Sequence, residues 1–182
     1  MAETDADVIR RSMRDPELFA ELVERHGPAI WRFLARRSGR DTADDVLADV
    51  FTAAFEKRSS YDGTYVDARP WLYGIARNCL QAHWRQHRPI AATPWAQTDD
   101  PWAAVDDRLD ADSCSGLLRA GLRALAPDDR DVLLLVAWEQ LTPTEAAAVV
   151  GIPAGTARSR LHRARATLKL ALPQTRLEIS HD

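Results

Sequence analysis

Several things are scarce in this chain of 182 residues, and each scarcity closes off a class of function. There are two cysteines, Cys79 and Cys114. They are far apart, show no C-x-x-C or metal-ligand spacing, and read as small buried or half-buried residues. Histidines 26, 83, 87, 162 and 181 make no metal spacing with a matching acid. His83 and His87 are four apart, as helical ligands would be, but no H-E-x-x-H pattern accompanies them. A phosphate-cradling glycine loop and a nucleophile motif are both missing, so no enzyme, metal or cofactor is expected. No apolar run is long enough to cross a bilayer. The acidic start, Met-Ala-Glu-Thr-Asp-Ala-Asp, lacks the apolar core of a signal peptide. The expected compartment is the cytoplasm, with no membrane partner. Val and Ile do not alternate with polar residues, which predicts an all-α chain.

What is present is an ordinary globular composition, 46% hydrophobic and 28% charged, of a length that suits one compact domain or two small ones. The net charge of -3 argues against nucleic acid until its distribution is read. Residues 151–176 hold Arg158, Arg160, Arg163, Arg165, Lys169 and Arg176 without an acid, and residues 69–98 hold Arg69, Arg77, Arg85 and Arg88, again without one. Such local patches bind phosphate whatever the total charge; the bland alternative is a solvated basic face.

The first segment reads as helices over residues 5–56. Asp15-Pro16 is a helix start, Gly27-Pro28 is expected to kink or split the helix that follows, and Ser38-Gly39 ends it. A helix from about Thr42 carries an apolar stripe of Ala43, Val46, Leu47, Val50, Phe51 and Ala54. A loop over residues 59–67 turns at Asp62-Gly63. Asp67 then caps a long helix, residues 68–87, with an inner stripe of Trp71, Leu72, Ile75, Cys79 and Ala82, and Pro89 stops it. Residues 90–112 form an acidic linker: six aspartates face the single Arg108. Its tryptophans, Trp95 and Trp102, either dock on a neighbouring domain or serve a partner. Helices over residues 114–124 and from Pro127 lead into the informative stretch.

There Thr142 caps a short helix with Pro143 at its first position and Glu145 three residues after the cap, a capping box. Gly151 supplies a left-handed turn, Ile152 plugs the core, and Pro153 starts a second helix. This is a helix-turn-helix pattern with the second helix as reader. At one hundred degrees per residue, Ala157, Leu161, Ala164 and Leu168 face the core. Arg158, Ser159, His162, Arg163 and Ala166 face away, with Arg160 and Arg165 at the seam. The outward face can reach base edges and phosphates; the alternative is a plain amphipathic helix.

Three stretches resemble one family. They are Asp44-Asp45-Val46-Leu47-Ala48-Asp49-Val50-Phe51, the run from Ala68 to Asn78 (ARPWLYGIARN), and the run from Gly151 to Arg165 (GIPAGTARSRLHRAR). In this order and separation they resemble bacterial RNA polymerase sigma factors of the short extracytoplasmic-function (ECF) type of the sigma-70 family, over about residues 16–172. The resemblance implies two small helical domains. A region-two-like domain would span residues 1–89, the linker 90–112, a region-four-like helix-turn-helix domain 113–176 and a tail 177–182. It implies a transcription initiation factor that binds core RNA polymerase and directs it to specific promoters.

The same resemblance implies the site residues. Asp45, Asp49, Val50 and Phe51 lie in the motif that docks on the clamp coiled coil of the polymerase largest subunit, though Phe51 also fits a core role. The loop over residues 59–67 and the next helix would hold the melted minus-ten element. Tyr61, Tyr65 and Trp84 offer ring faces for unstacked bases, Arg77, Arg85 and Arg88 offer phosphate contacts, and Asn78 and Gln81 lie among them. Trp71 reads better as core. Arg158, Ser159, His162 and Arg163 would read the minus-thirty-five element, with Arg160 at the edge of that face and Thr156 on phosphate. An anti-sigma factor is an expected partner beside polymerase and promoter DNA, and the acidic linker would thread toward the RNA exit path. Many relatives carry Gln, Ile and Val where this chain has Ala48, Ala146 and Ala157. The competing reading is a free-standing helix-turn-helix regulator; it needs an apolar dimerisation helix, and none is evident.

Overall fold

The computed structural model describes residues 3–87, 118 and 120–171, and among these there are helices and no strand. The expected linker 90–112, the domain limits at 89 and 113, the tail 177–182, Arg88 and Cys114 lie outside the described residues. The chain divides into two compact units. Helices α1 (Asp5–Ser12), α2 (Ala20–Ser38), α3 (Arg40–Lys57) and α4 (Arg69–Gln86) make the first. Helices α5 (Pro127–Ala137) and α7 (Ala154–Ala171) with most of α6 (Pro143–Val150) make the second.

In the first unit α2 packs on α3, and α4 lies against both. Phe33, Leu22 and Ile30 from α2, Val46 and Val50 from α3, and Leu72 and Leu80 from α4 fill the core. Each such side chain contributes about 1.5–3 kcal/mol by leaving water. The ring of Tyr73 on α4 meets that of Phe33 at 5.1 Å. Gly39, at φ 93°, makes the whole corner between α2 and α3: its N–H donates to Ala35 O and its carbonyl accepts from Ala43 N. A side chain there would be strained. The corner is so tight that α3 begins at Arg40, ahead of the expected Thr42.

Two expectations need adjusting here. Pro28 lies inside a continuous α2, so the helix is not split there. Its missing N–H leaves the Glu24 carbonyl without the helix bond, but Glu24 and Pro28 are both exposed, so the lost bond falls on the solvent side while the buried side of the helix stays packed. Asp15-Pro16 opens a short 3-10 turn, Pro16–Phe19, with no side-chain cap, before α2 starts.

The first helix begins at Asp5 as its sequence suggested, with a cap and a buried acid that the sequence did not reveal. Thr4 and Asp7 form a capping box on α1: Asp7 N donates to Thr4 Oγ1 at 3.2 Å and Thr4 N to Asp7 Oδ2 at 3.4 Å. Asp5, beside the cap, is buried. Its carboxylate accepts from Arg25 Nη1 (2.6 Å), from the Ala68 backbone N–H (2.9 Å) and pairs with His26 Nε2 (2.7 Å). Burial pushes its pKa up. The bonds from His26, Ala68 and Arg25 more than reverse this, leaving it at about 2 against an ordinary 3.8.

A carboxylate with a depressed folded-state pKa stabilises the fold above its unfolded pKa and loses that contribution as pH falls toward the folded value. Asp5→Asn should therefore unfold more easily than the natural chain by about 2 kcal/mol at neutral pH. The gap should close as pH falls from about 4 to about 2. Urea unfolding followed by circular dichroism across that range measures it; a gap that persists at the acid end would contradict the assignment.

Candidate nucleic-acid interface

The helix-turn-helix is built as its sequence predicts. Glu145 N donates to Thr142 Oγ1 (3.2 Å) and Thr142 N to Glu145 Oε2 (2.7 Å), so the capping box closes on α6. Gly151 has φ 76°, and Ile152 N donates back to Ala147 O at 3.0 Å, completing the turn that aims α7. Ile152 itself is half-buried, short of the core plug expected of it. Helix α7 buries Ala157, Leu161 and Ala164, and Leu168 is half-buried. Thr156, Arg158, Ser159 and His162 are exposed, on a helix with no acid along its length. The Ser159 hydroxyl donates to Gly155 O in the preceding turn.

Two expected contact residues are held by α5 instead of standing clear. Arg163 grips Asp129 with two bonds, Nε to Oδ2 at 3.0 Å and Nη2 to Oδ1 at 2.7 Å. Arg160 Nη2 lies 2.8 Å from Asp128 Oδ2. Asp128 and Asp129 occupy the first turn of α5, where the helix dipole favours negative charge, and the guanidinium fork matches a carboxylate in plane. Arg130, next in line, is buried and donates to the carbonyls of Arg123 and Leu125, fixing the chain that enters α5.

The loop before α4 is short and mostly polar in its internal bonds. Thr64 N donates to Asp62 Oδ1 (3.0 Å) and Tyr65 N to Asp62 O (3.1 Å), making the predicted turn. Tyr61 donates its hydroxyl to Tyr65 O at 2.6 Å and sets its ring edge against Trp71, centroids 5.1 Å apart. Burial, with the nearby carboxylates of Asp5, Asp67 and Asp62, raises the Tyr61 phenol to about 12, so it stays a donor. Tyr65 and Val66 are 63% and 64% exposed at the loop tip. Asp67 accepts from Arg69 N (2.9 Å) and pairs with the Arg69 side chain, satisfying an N–H of the first turn of α4.

Along α4, Asn78 and Arg85 are exposed and Arg77, Gln81 and Trp84 half-buried. With its amide turned so that the oxygen faces Arg77, Gln81 accepts from that guanidinium. The expected inner stripe needs correction. Leu72 and Ile75 are buried as predicted, but Tyr73, Ala76 and Leu80 complete the buried face. Trp71, Cys79 and Ala82 are half-buried. Two helices, α2 and α3, flank α4, so its buried face is wider than one stripe and turned toward Leu80. Trp71 leans on the loop through Tyr61, which is why it is not in the core.

On α3, Asp45 and Asp49 are exposed, with Asp41 and Asp44 beside them. Trp31 donates its indole N–H to Asp44 at 2.7 Å. Val50 and Phe51 are only 0% and 9% exposed. They support that face from beneath and do not belong to its surface, a depth that a motif match does not reveal. Among the described residues, one group brings three possible metal-ligand atoms within 4.8 Å of one another: Asp5, His26 and Asp67. All three have protein partners, which makes the group a hydrogen-bond clamp.

Two family models match the chain, Sigma-70 region 2 over residues 22–90 and Sigma-70, region 4 over residues 115–168. CarQ, an RNA polymerase sigma factor of Myxococcus xanthus, is 34% identical over 90% of this chain and 94% of its own. The chain belongs to the sigma-70 family, in its ECF group. The RNA polymerase sigma-E factor of Streptomyces avermitilis is 38% identical over 88% of each chain. Among solved structures, CnrH in complex with the cytosolic domain of CnrY aligns with a TM-score of 0.64 at 27% identity, covering 91% of this chain and 95% of that one. The sigma factor is therefore an initiation factor that directs RNA polymerase to specific promoters, and the free-standing regulator is set aside. Among the described residues, no helix is long and apolar enough to cross a membrane.

The turn that aims α7 offers a clean test of how this sigma factor is built. A Cβ at Gly151 would meet nothing within 4 Å, so Gly151→Ala suffers only from the positive φ. It should lower stability by about 1 kcal/mol, with Gly151→Asn intermediate, as read by thermal unfolding of the full chain. Equal stability of all three would show that the left-handed turn carries no strain.

Proposed function

We propose a division of labour among three surfaces of this sigma factor. The exposed Asp45 and Asp49 face of α3 docks on the largest subunit of core polymerase. The loop over residues 61–68 and the Arg77, Asn78, Gln81, Trp84 and Arg85 side of α4 hold the melted minus-ten strand, with Tyr61 at the base of the loop. The outward face of α7 reads the minus-thirty-five duplex through Arg158, Ser159 and His162, with Thr156 at its first turn on phosphate. Residues 1–89 and 113–176 are the proposed limits of the two binding domains, with 90–112 as the acidic linker.

One observation carries this reading above the rest: α7 presents exposed Arg158, Ser159 and His162 on a helix without an acid, aimed by a capped α6 and a left-handed Gly151. A bidentate guanidinium–guanine pair contributes about 1–3 kcal/mol of discrimination. Arg163 has its fork engaged by Asp129, so its part is to fix the angle of α7 on α5, and Arg160 does the same through Asp128. Val50 and Phe51 leave the docking surface because they are buried. An anti-sigma factor is the remaining proposed partner; the CnrH complex with the cytosolic domain of CnrY supports a protein partner on this fold.

The reading is tested by crossed variants. Arg158→Ala and His162→Ala should each weaken binding to a minus-thirty-five duplex by roughly tenfold or more while core polymerase affinity is unchanged. Asp49→Arg should weaken polymerase binding and spare duplex binding. Fluorescence anisotropy with labelled duplex and with core polymerase reads both. Loss of polymerase binding by a folded Arg158→Ala protein would break the division.

A further inference from the structure

The loop assigned to the minus-ten strand is ordered from far away in the chain. Its internal bonds, Thr64 to Asp62, Tyr65 to Asp62 and Tyr61 to Tyr65, only shape the turn. Among the described residues, the hydrogen bonds that tie loop residues 62–68 to a distant part of the chain both end on Asp5. Asp5 N donates to Val66 O at 3.1 Å, and Asp5 Oδ2 accepts from Ala68 N at 2.9 Å. The loop tip buries little: Tyr65 and Val66 are largely exposed, and a segment with few buried apolar contacts depends on its polar ties for order. Asp5 is itself fixed on α2 by Arg25 and His26. The carboxylate thus joins α1, α2 and the entry to α4 at one point.

We propose that Asp5 is a positioning residue for promoter melting: it holds the loop over residues 61–68 in the form that accepts the unpaired minus-ten strand, and α1 serves the site through this contact. The inference rests on the assignment of that loop and α4 to the minus-ten strand. Nothing in it requires Asp5 to touch DNA. Without the carboxylate the loop samples other forms, and the apparent affinity for the strand falls by the fraction of time the competent form is lost. Polymerase docking through α3 and duplex reading through α7 do not use the loop, so they should not change.

The test uses holoenzyme assembled from the full chain and core polymerase. The probe is a single-stranded oligonucleotide spanning the minus-ten region of a promoter that the natural holoenzyme transcribes. Asp5→Ala should weaken binding of this strand roughly tenfold, with Asp5→Asn intermediate, while affinities for core polymerase and for the minus-thirty-five duplex hold. Hydrogen exchange of the free protein should show faster exchange across residues 61–68 in both variants. Val8→Ala is the control. It removes a buried side chain of α1 and lowers stability, but it leaves the carboxylate in place and should leave strand binding unchanged. If Asp5→Ala does not fold, Asp5→Asn, which keeps the side chain's shape, carries the test.

Loop exchange that rises with no loss of strand binding, while Asn78→Ala does lose it, would overturn the role of Asp5 and leave the minus-ten assignment standing. Unchanged loop exchange, or a Val8→Ala protein as impaired as Asp5→Ala, would also overturn it. If neither Asn78→Ala nor Tyr61→Ala weakens strand binding, the assignment of the loop and α4 fails first, and the role of Asp5 with it.

Discussion

A buried carboxylate is unfavourable unless its lone pairs are filled, and that requirement organises the first unit. Asp5 meets it with a guanidinium, an imidazole and a backbone N–H drawn from two places: α2 supplies Arg25 and His26, and the entry to α4 supplies Ala68. Each partner is unremarkable alone. Together they fix where α1 sits, which way α2 turns its polar edge and where α4 begins. Apolar packing of Phe33, Val46 and Leu72 supplies the larger share of the stability, but it is non-directional. The carboxylate gives one defined geometry at the point where the chain leaves the loop for α4.

The second unit solves a related problem with charge at its surface. A helix carrying Arg158, Arg160, Arg163 and Arg165 in two turns repels itself unless some of that charge is matched. Two acids in the first turn of α5 do this, and they pair with the arginines on one flank of α7, Arg160 and Arg163. The pairs run along the side where α5 packs on α7. They leave Arg158 and His162 exposed on the other flank. One set of arginines thereby orients the helix and another is available to DNA, a separation that net charge alone conceals.

Much of this was legible in the residues. Thr142, Glu145 and Gly151 announced the helix-turn-helix because a capping box and a left-handed glycine are local devices, fixed within a few residues. The inward face of α7 followed from angle alone. What escaped depends on distance along the chain. Asp5 looks like one more acid in an acidic start, since its partners lie 20 to 63 residues away. The engagement of Arg163 needs the register of α5 against α7. The depth of Val50 and Phe51 needs the packing of α3 on α2 and α4, and the inner stripe of α4 was misjudged because two helices cover it. Pro28 was expected to break α2 from the rule for isolated helices; in the fold its missing bond falls on the exposed side.

These placements suit two different recognition problems. Duplex reading needs side chains held at fixed separations to match an unmelted groove, and a helix braced by ion pairs and set by a left-handed glycine turn provides that rigidity. Capturing an unpaired strand needs ring faces and backbone groups that close around bases already out of the stack. A loop with exposed Tyr65 and Val66 can do this only if its resting form is close to the bound one, because ordering on binding weakens affinity. Tying that loop to a buried anchor, while leaving its tip in water, meets both demands. The anchor lies in the first helix of the chain, so under the proposed role of Asp5 a residue remote in sequence from α7 would set the step that follows duplex reading.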